Sequence, residues 1–439
     1  SPVTQTETTD VRIRAAELLD EARRRDPLGD RVQIVLAMLL LFTMSLTTAP
    51  SGIAFAALAV YTILRLHKTS ACYEPVLRTP LLRIALVWVI WCAVTIFWSS
   101  SPEQGFDELS STRMLLLPLL LWPVINRGPW LIVAVLAGVL VQNGVQLIHA
   151  LNLTDALRHG EGLRVGGLLH PIQTGVLCSC AVCWYVSAII HEKSWRRWGA
   201  VVLAGIAFAG LIATGSRGPW IAFAIAFPLQ MILIIIRRPA VRKAALIATI
   251  CGILAGVIVM FLGYRMINER FEDAKTEFRA AIEEGDYGTA VGLRIGLWSW
   301  AWNTFREKPL TGHGLGSFRN VMITQPSYMK AEERWPEHAV EYMQRDHAHS
   351  SYLHLLSSTG VFGAGLFAAL LIIALVGAWR SPLDHPFADG VLPALVVWII
   401  AAQFDALHLN AHMLGLLMFL VMLSLPVRPR YIDESAVMD

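Results

Sequence analysis

The feature that most limits what this chain can become is a succession of apolar runs, near 32–48, 51–66, 81–98, 114–125, 129–149, 171–190, 198–213, 219–236, 244–263, 352–379, 389–407 and 410–426. Most approach the roughly 20 residues that an α-helix needs to cross a bilayer. In lipid a segment must satisfy its own backbone groups, so runs of this length separated by polar loops predict helices. Composition agrees, with 55% of 439 residues apolar and only 16% charged. A water-soluble core of this size does not need so much apolar surface. The expected fold is an all-α integral membrane protein of about twelve transmembrane helices. The fourth run is short and carries Pro118 and Pro123, so a kink is expected there.

A net charge of +3 gives no reason to invoke nucleic acid, and the basic residues cluster in short loops. With twelve spans, Arg65, Lys68, Arg78 and Arg83, then Arg127, then Lys193, Arg196 and Arg197, then Arg237, Arg238, Arg242 and Lys243, then Arg380 all fall on one side. Arg23, Arg24 and Arg25 join them from one terminus, and Arg428 and Arg430 from the other. Positive residues concentrate in cytoplasmic loops, which makes that side the cytoplasm. The expected organisation is a cytoplasmic tail over 1–30, helices 1–9 over 31–263, a long outer loop with amphipathic helices over 264–349, helices 10–12 over 350–427, and a cytoplasmic tail over 428–439. The arginine-rich N-terminal stretch shows no small-residue cleavage site, so the first span is expected to act as its own insertion signal. Cys72, Cys92, Cys178, Cys180, Cys183 and Cys251 lie almost wholly in apolar runs and read as small buried hydrophobes, not as a disulfide or metal framework.

The outer face carries the unusual polar residues. Asp346-His347-Ala348-His349-Ser350-Ser351-Tyr352-Leu353-His354 sets three histidines where the polar loop meets an apolar helix. At such a junction the surroundings can set an imidazole's protonation. Upstream, Ile267, Phe271, Ala274, Phe278 and Ile282 recur at helical spacing, predicting an amphipathic surface helix. A second helix is expected from about Thr289 to Arg306, ended by Pro309 and the glycines at 312, 314 and 316. Those glycines follow no strand and read as a turn, not a nucleotide loop. Arg217, in Gly215-Ser216-Arg217-Gly218-Pro219, pairs a guanidinium with exposed backbone donors at a helix start, a combination suited to phosphate. Arg164, before His170-Pro171, reads equally as an anion ligand or as an interfacial side chain. Arg294 taken alone reads as a surface ion pair, and Arg265 as a snorkelling residue. Asp346, His347 and His349 are near enough in sequence to suggest a shared ion, without establishing one. Trp335, Tyr328 and Tyr342 are available for sugar stacking.

These residues resemble the bacterial O-antigen ligases, within the superfamily that also holds lipid-linked polysaccharide polymerases and O-oligosaccharyltransferases. The signature is His349-Ser350, nine residues, then Gly360-Val361-Phe362-Gly363. Arg294, Trp298, Ala301, Phe305, Pro309, Gly312, Gly314, Gly316 and Phe318 resemble the family's lead into that histidine, and Ser216-Arg217-Gly218 its arginine at the outer end of a middle span. The resemblance covers roughly residues 160–365. It implies a GT-C-like glycosyltransferase whose long loop between helices 9 and 10 is periplasmic. Such an enzyme moves O-antigen from undecaprenyl diphosphate to the lipid A-core oligosaccharide at the periplasmic face of the bacterial inner membrane. In that reading His349 is the base for the acceptor hydroxyl and attack inverts the anomeric centre. Arg217, Arg294 and Arg164 hold the diphosphate, with no metal and no cofactor.

Three other readings stand beside it. A polymerase would use a lipid-linked glycan as both donor and acceptor, while an O-oligosaccharyltransferase would be expected to extend further beyond the last span. From a different class, a twelve-helix transporter would be expected to carry ionisable residues near mid-membrane. Asp405 and His408 are the late exception in spans otherwise poor in them.

Overall fold

The computed structural model describes residues 2–151, 164–262, 264–335, 340, 344–382 and 384–429. Among these the backbone is helical or in turns, and each apolar run coincides with a helical segment. The chain builds α1 (Pro2–Arg25), α2 (Pro27–Met44), α3 (Thr48–Thr69), α4 (Glu74–Leu77), α5 (Pro80–Thr95), α6 (Pro102–Ser110), α7 (Leu117–Leu121) and α8 (Gly128–Ala150). Then come α9 (Pro171–His191), α10 (Arg196–Ala213), α11 (Arg217–Arg237) and α12 (Arg242–Leu262). The polar segment forms α13 (Tyr264–Arg279), α14 (Ala290–Glu307), α15 (Phe318–Ile323) and α16 (Pro326–Glu332). Finally α17 (Ser351–Arg380), α18 (Val391–Ala401) and α19 (Ala411–Leu423) complete the bundle.

Among the described residues, 8 helical segments are long and apolar enough to cross a membrane, and Ala388–Ala401 and Ala411–Leu423 are shorter apolar helices. Ile53, Ile63, Leu64, Ile90, Val202 and Ile253 lie exposed on such helices. A bundle that turns this many large aliphatic side chains outward requires lipid around it. The protein is a multi-pass membrane protein. The kink expected in the fourth run is there: a 3₁₀ turn, α7 and a second 3₁₀ turn replace one straight helix, and Val124 leaves helical geometry immediately after Pro123. Five cysteines are buried and unpaired, as read from sequence, but Cys251 is exposed, because its position on α12 faces out of the bundle.

At one end of the bundle the basic loops interlock with carboxylates. Arg65 Nε lies 2.9 Å from Asp26 Oδ2 and its Nη1 donates to Gln33 Oε1 at 2.6 Å, joining α3 to the start of α2. Arg127 sits 2.8 Å from Asp30, Arg238 3.2 Å from Asp389, and Arg428 2.9 Å from Asp384. His191, at the end of α9, also meets Asp389.

At the other end the backbone itself is irregular. The expected second loop helix is α14, capped by Thr289, whose side chain accepts from Gly292 N. The glycines after it lie in a segment of turns, as expected. They form a strap against α17, where His313 N donates to Ser357 O at 3.0 Å, Gly314 N to Ser358 O at 2.8 Å, and Val361 N to Pro309 O at 2.8 Å. The strap needs α17 to open, and it does so at Gly360, with φ +66°. A Cβ there would stand 2.2 Å from Leu310 O. Only glycine fits both that conformation and that approach. The signature glycine is therefore a backbone crossing that fixes the first three turns of α17 against the loop.

Candidate active site

Those first turns carry the histidines. Ser350 caps α17 by accepting from Leu353 N at 3.4 Å, and Ser351 N donates to Ala402 O at 2.8 Å and Asp405 O at 3.1 Å. The helix start is thus fastened to the turn between α18 and α19. The residue just before the cap, His349, has φ +45° and is the one non-glycine residue with positive φ among those described. Left-handed backbone is costly for an L side chain and persists where surroundings impose it. Here Trp298 Nε1 donates to His349 O at 3.4 Å and His349 N to His347 Nδ1 at 3.3 Å.

That strained backbone aims the imidazole at Asp405, with Nδ1 3.2 Å from Oδ1. A carboxylate accepts, so Nδ1 carries the proton and Nε2 keeps its lone pair. Burial opposes ionisation of Asp405, but the His349 hydrogen bond and the neighbouring imidazoles outweigh it and hold the carboxyl below its usual range. Both side chains remain partly accessible, at 21% and 15%. Burial pushes the His347 imidazole down to about 3, with His349 adding to the effect. The result is an oriented, reachable imidazole that can take a proton from a hydroxyl.

The arginines read from sequence gather around the same place. Arg164 Nη2 donates to Ser216 Oγ at 3.1 Å, and Gly215 abuts the Arg164 side chain, so Arg164 and Arg217 flank one turn. Gly218, next to Arg217, packs on Phe404, the neighbour of Asp405. Arg294 sits one helical turn before Trp298 on α14, with Nη1 donating to Ala290 O at 3.0 Å. The N-cap of α9, His170, ties the set together: burial lowers its pKa, Asp405 opposes that, and Arg164, His349 and Arg294 reinforce it. The Arg164 segment is itself held by α8. Gln142 Nε2 donates to Gly166 O at 2.6 Å and Gln146 Nε2 to Val165 O at 2.8 Å, side-chain amides satisfying irregular backbone inside the bundle.

Other expectations fare differently. Asp346 does not join His347 and His349, because it points to Arg319, 3.6 Å away; Asp405 takes its place. Tyr328 is fully buried against Trp300 and Trp335 and cannot stack on a sugar. Tyr342 lies outside the described residues. His354, the third histidine, is buried with Glu108, Nε2 to Oε2 3.3 Å, and that same oxygen accepts from Gly316 N at 3.2 Å. Sequence reasoning set Asp405 aside as an isolated exception and missed Glu108 altogether. Carboxylates within or beside apolar runs were the available signal.

Residues 199–368 match the O-antigen ligase family. The chain is 24% identical over 310 residues to the exopolysaccharide production protein ExoQ of Rhizobium meliloti, covering 68% of this chain and 65% of that one. It is 23% identical over 212 residues to an uncharacterised protein of Haemophilus influenzae, covering 46% and 49%. The match thus spans 49–65% of the length of these relatives. The matched family segment runs from α10 into α17 and so contains Arg217, Arg294, His349 and the Gly360 crossing. The likeness to the O-antigen ligase family thus rests on the segment of the helical membrane bundle that carries the candidate site.

Proposed function

We propose that the protein transfers O-antigen polysaccharide from undecaprenyl diphosphate to the lipid A-core oligosaccharide. The observation that carries this reading is the His349–Asp405 pair, 3.2 Å apart, with Arg164 and Arg294 close enough to act on the same His170 and Arg217 on the turn that Arg164 abuts. His349 Nε2 takes the proton of the attacking hydroxyl as the anomeric C–O bond to the diphosphate breaks, and attack from the opposite face inverts the centre. Arg217, Arg294 and Arg164 hold the diphosphate and stabilise the charge it gains on leaving. Guanidinium keeps its proton throughout, so the step calls for no divalent ion and no cofactor. The positive-inside rule turns the Arg65 end to the cytoplasm and the His349 end to the periplasm of the inner membrane.

Impermeant labelling of single cysteines in a Cys251→Ser background tests the orientation: S327C should react in intact spheroplasts and S194C should not. The converse pattern would invert the topology. Transfer from purified lipid-diphosphate glycan, offered core lipid or a second lipid-linked glycan, tests the reaction. A core-linked product is expected. Product only on the second lipid-linked glycan would make the protein a polymerase, a reading favoured by the likeness to an exopolysaccharide production protein.

A further inference from the structure

We infer that His347, His349 and Asp405 form a transition-metal site whose occupation by Zn²⁺ switches off the His349 imidazole. Their ligand atoms lie within 4.8 Å of one another. Ligands of a tetrahedral Zn²⁺ at bond lengths of about 2.0–2.1 Å stand roughly 3.3 Å apart, and His349 Nδ1 and Asp405 Oδ1 are already 3.2 Å apart. Only the third ligand must close, by about 1.5 Å or less, within reach of a side-chain rotation. The backbone is held in place for this. Ser351 N is bonded to Ala402 O and Asp405 O, Ser351 Oγ to Asp405 O, and Trp298 to His349 O. Two imidazoles and one carboxylate suit Zn²⁺, Ni²⁺ or Co²⁺, whereas Mg²⁺ and Ca²⁺ favour all-oxygen shells. Three protein ligands leave a fourth position for water.

The chemical consequence follows from the tautomer. When Nδ1 binds the ion, it gives up the proton it shared in the hydrogen bond to Asp405, and the neutral ring carries its proton on Nε2 instead. The ring stays neutral, but Nε2 no longer has a lone pair to accept a proton. The metal is therefore an inhibitor, and chelation is expected to leave transfer unchanged or to raise it. This consequence rests on the proposed role of His349; the binding does not.

Binding is measured first, with the purified full chain in detergent, by titrating Zn²⁺ in the absence of donor, and by the visible d–d absorption of Co²⁺. One saturable ion per chain is expected, with a tetrahedral Co²⁺ spectrum. His347→Asn keeps an acceptor for His349 N but removes the imidazole, and it should weaken binding by about tenfold or more, as should Asp405→Asn. Absence of saturable binding, or wild-type affinity in both variants, overturns the site. Transfer is then followed at saturating Zn²⁺, each variant relative to its own metal-free rate. Wild type should lose about tenfold or more and recover with EDTA, and His347→Asn should need proportionately more Zn²⁺. Saturated protein that transfers at its metal-free rate refutes the switch while leaving the binding result intact. Should His349 prove dispensable for transfer in metal-free buffer, the functional reading fails and the titration is still decisive for the site.

Discussion

At the Arg65 end of the bundle, carboxylates from one segment face guanidiniums from another: Asp26 with Arg65, Asp30 with Arg127, Asp384 with Arg428. At the His349 end, the carboxylates Asp405 and Glu108 face imidazoles instead. A guanidinium does not release its proton, so the first kind of pair can only fasten. An imidazole can change its proton near neutral pH, so the second kind can fasten or react. Burial separates those two outcomes within the His349 end itself. His354 and Glu108 are 1% and 4% exposed, against 21% and 15% for His349 and Asp405. The buried pair links α17 to α6 and the glycine strap, and the accessible one is the pair proposed to meet substrate.

The sharpest way to break this comparison is to remove the accessible imidazole. His349→Ala should lower transfer by about 10²–10⁴-fold while the lipid donor still binds. Because position 349 has positive φ, His349→Asn is the companion variant, since Asn tolerates that backbone and supplies no base. Near-normal transfer by either variant, with folding confirmed, would remove His349 from the chemistry.

The arginines come next. Arg217→Ala and Arg294→Ala should weaken donor binding and slow transfer together, by a smaller factor each, since a guanidinium on the diphosphate acts before and during bond breaking. Lysine should restore only part, because a point charge lacks the bidentate fork. Donor binding and rate measured separately decide the matter, and wild-type values for both in either Ala variant return that arginine to an interfacial role.

These predictions depend on features of unequal visibility in the sequence. Hydrophobic periodicity made the helices readable because lipid leaves a backbone no alternative, and the His349-Ser350 to Gly360 spacing made the junction readable. What spacing cannot convey is which distant groups a kinked helix start meets. Asp405 is 56 residues from His349 and Glu108 is 246 from His354. Each reaches its partner only because the turn after α18 and the strap at 309–316 dock on α17. The strap was readable as turns, which it contains, but not as a crossing, because its bonds to Ser357 and Ser358 join it to α17, far along the chain. Tyr328 looked available because polarity of a segment says nothing about which of its aromatics face inward.

At the fastening end, Arg65→Ala should leave the rate per folded molecule unchanged and lower stability in detergent by about 3 kcal/mol at most, the low end for breaking a buried ion pair, because Asp26 is only partly buried and keeps Lys68 at 3.5 Å. A thermal midpoint equal to wild type would show that the Asp26–Arg65 pair contributes no net stability.

The smallest effect expected is a pH dependence confined to that same end. His385 is buried in the loop before α18, where burial and then the Arg428 cation push its pKa down to about 3, against the opposing charges of Asp384 and Asp389. Its Nδ1 accepts from Phe387 N at 3.2 Å, which requires the neutral ring. An unfolded histidine titrates near about pH 6.5, so the folded value is depressed. The contribution is therefore fully present above about pH 6.5 and is lost as pH falls towards the folded value, at no more than about 1.4 kcal/mol per unit. His385→Asn offers the same acceptor without the titration. Thermal midpoints of both proteins at several values from about pH 7.5 down to 5 should diverge, the wild type falling more steeply below about 6.5. Parallel curves would mean that protonation of His385 does not load this end of the bundle.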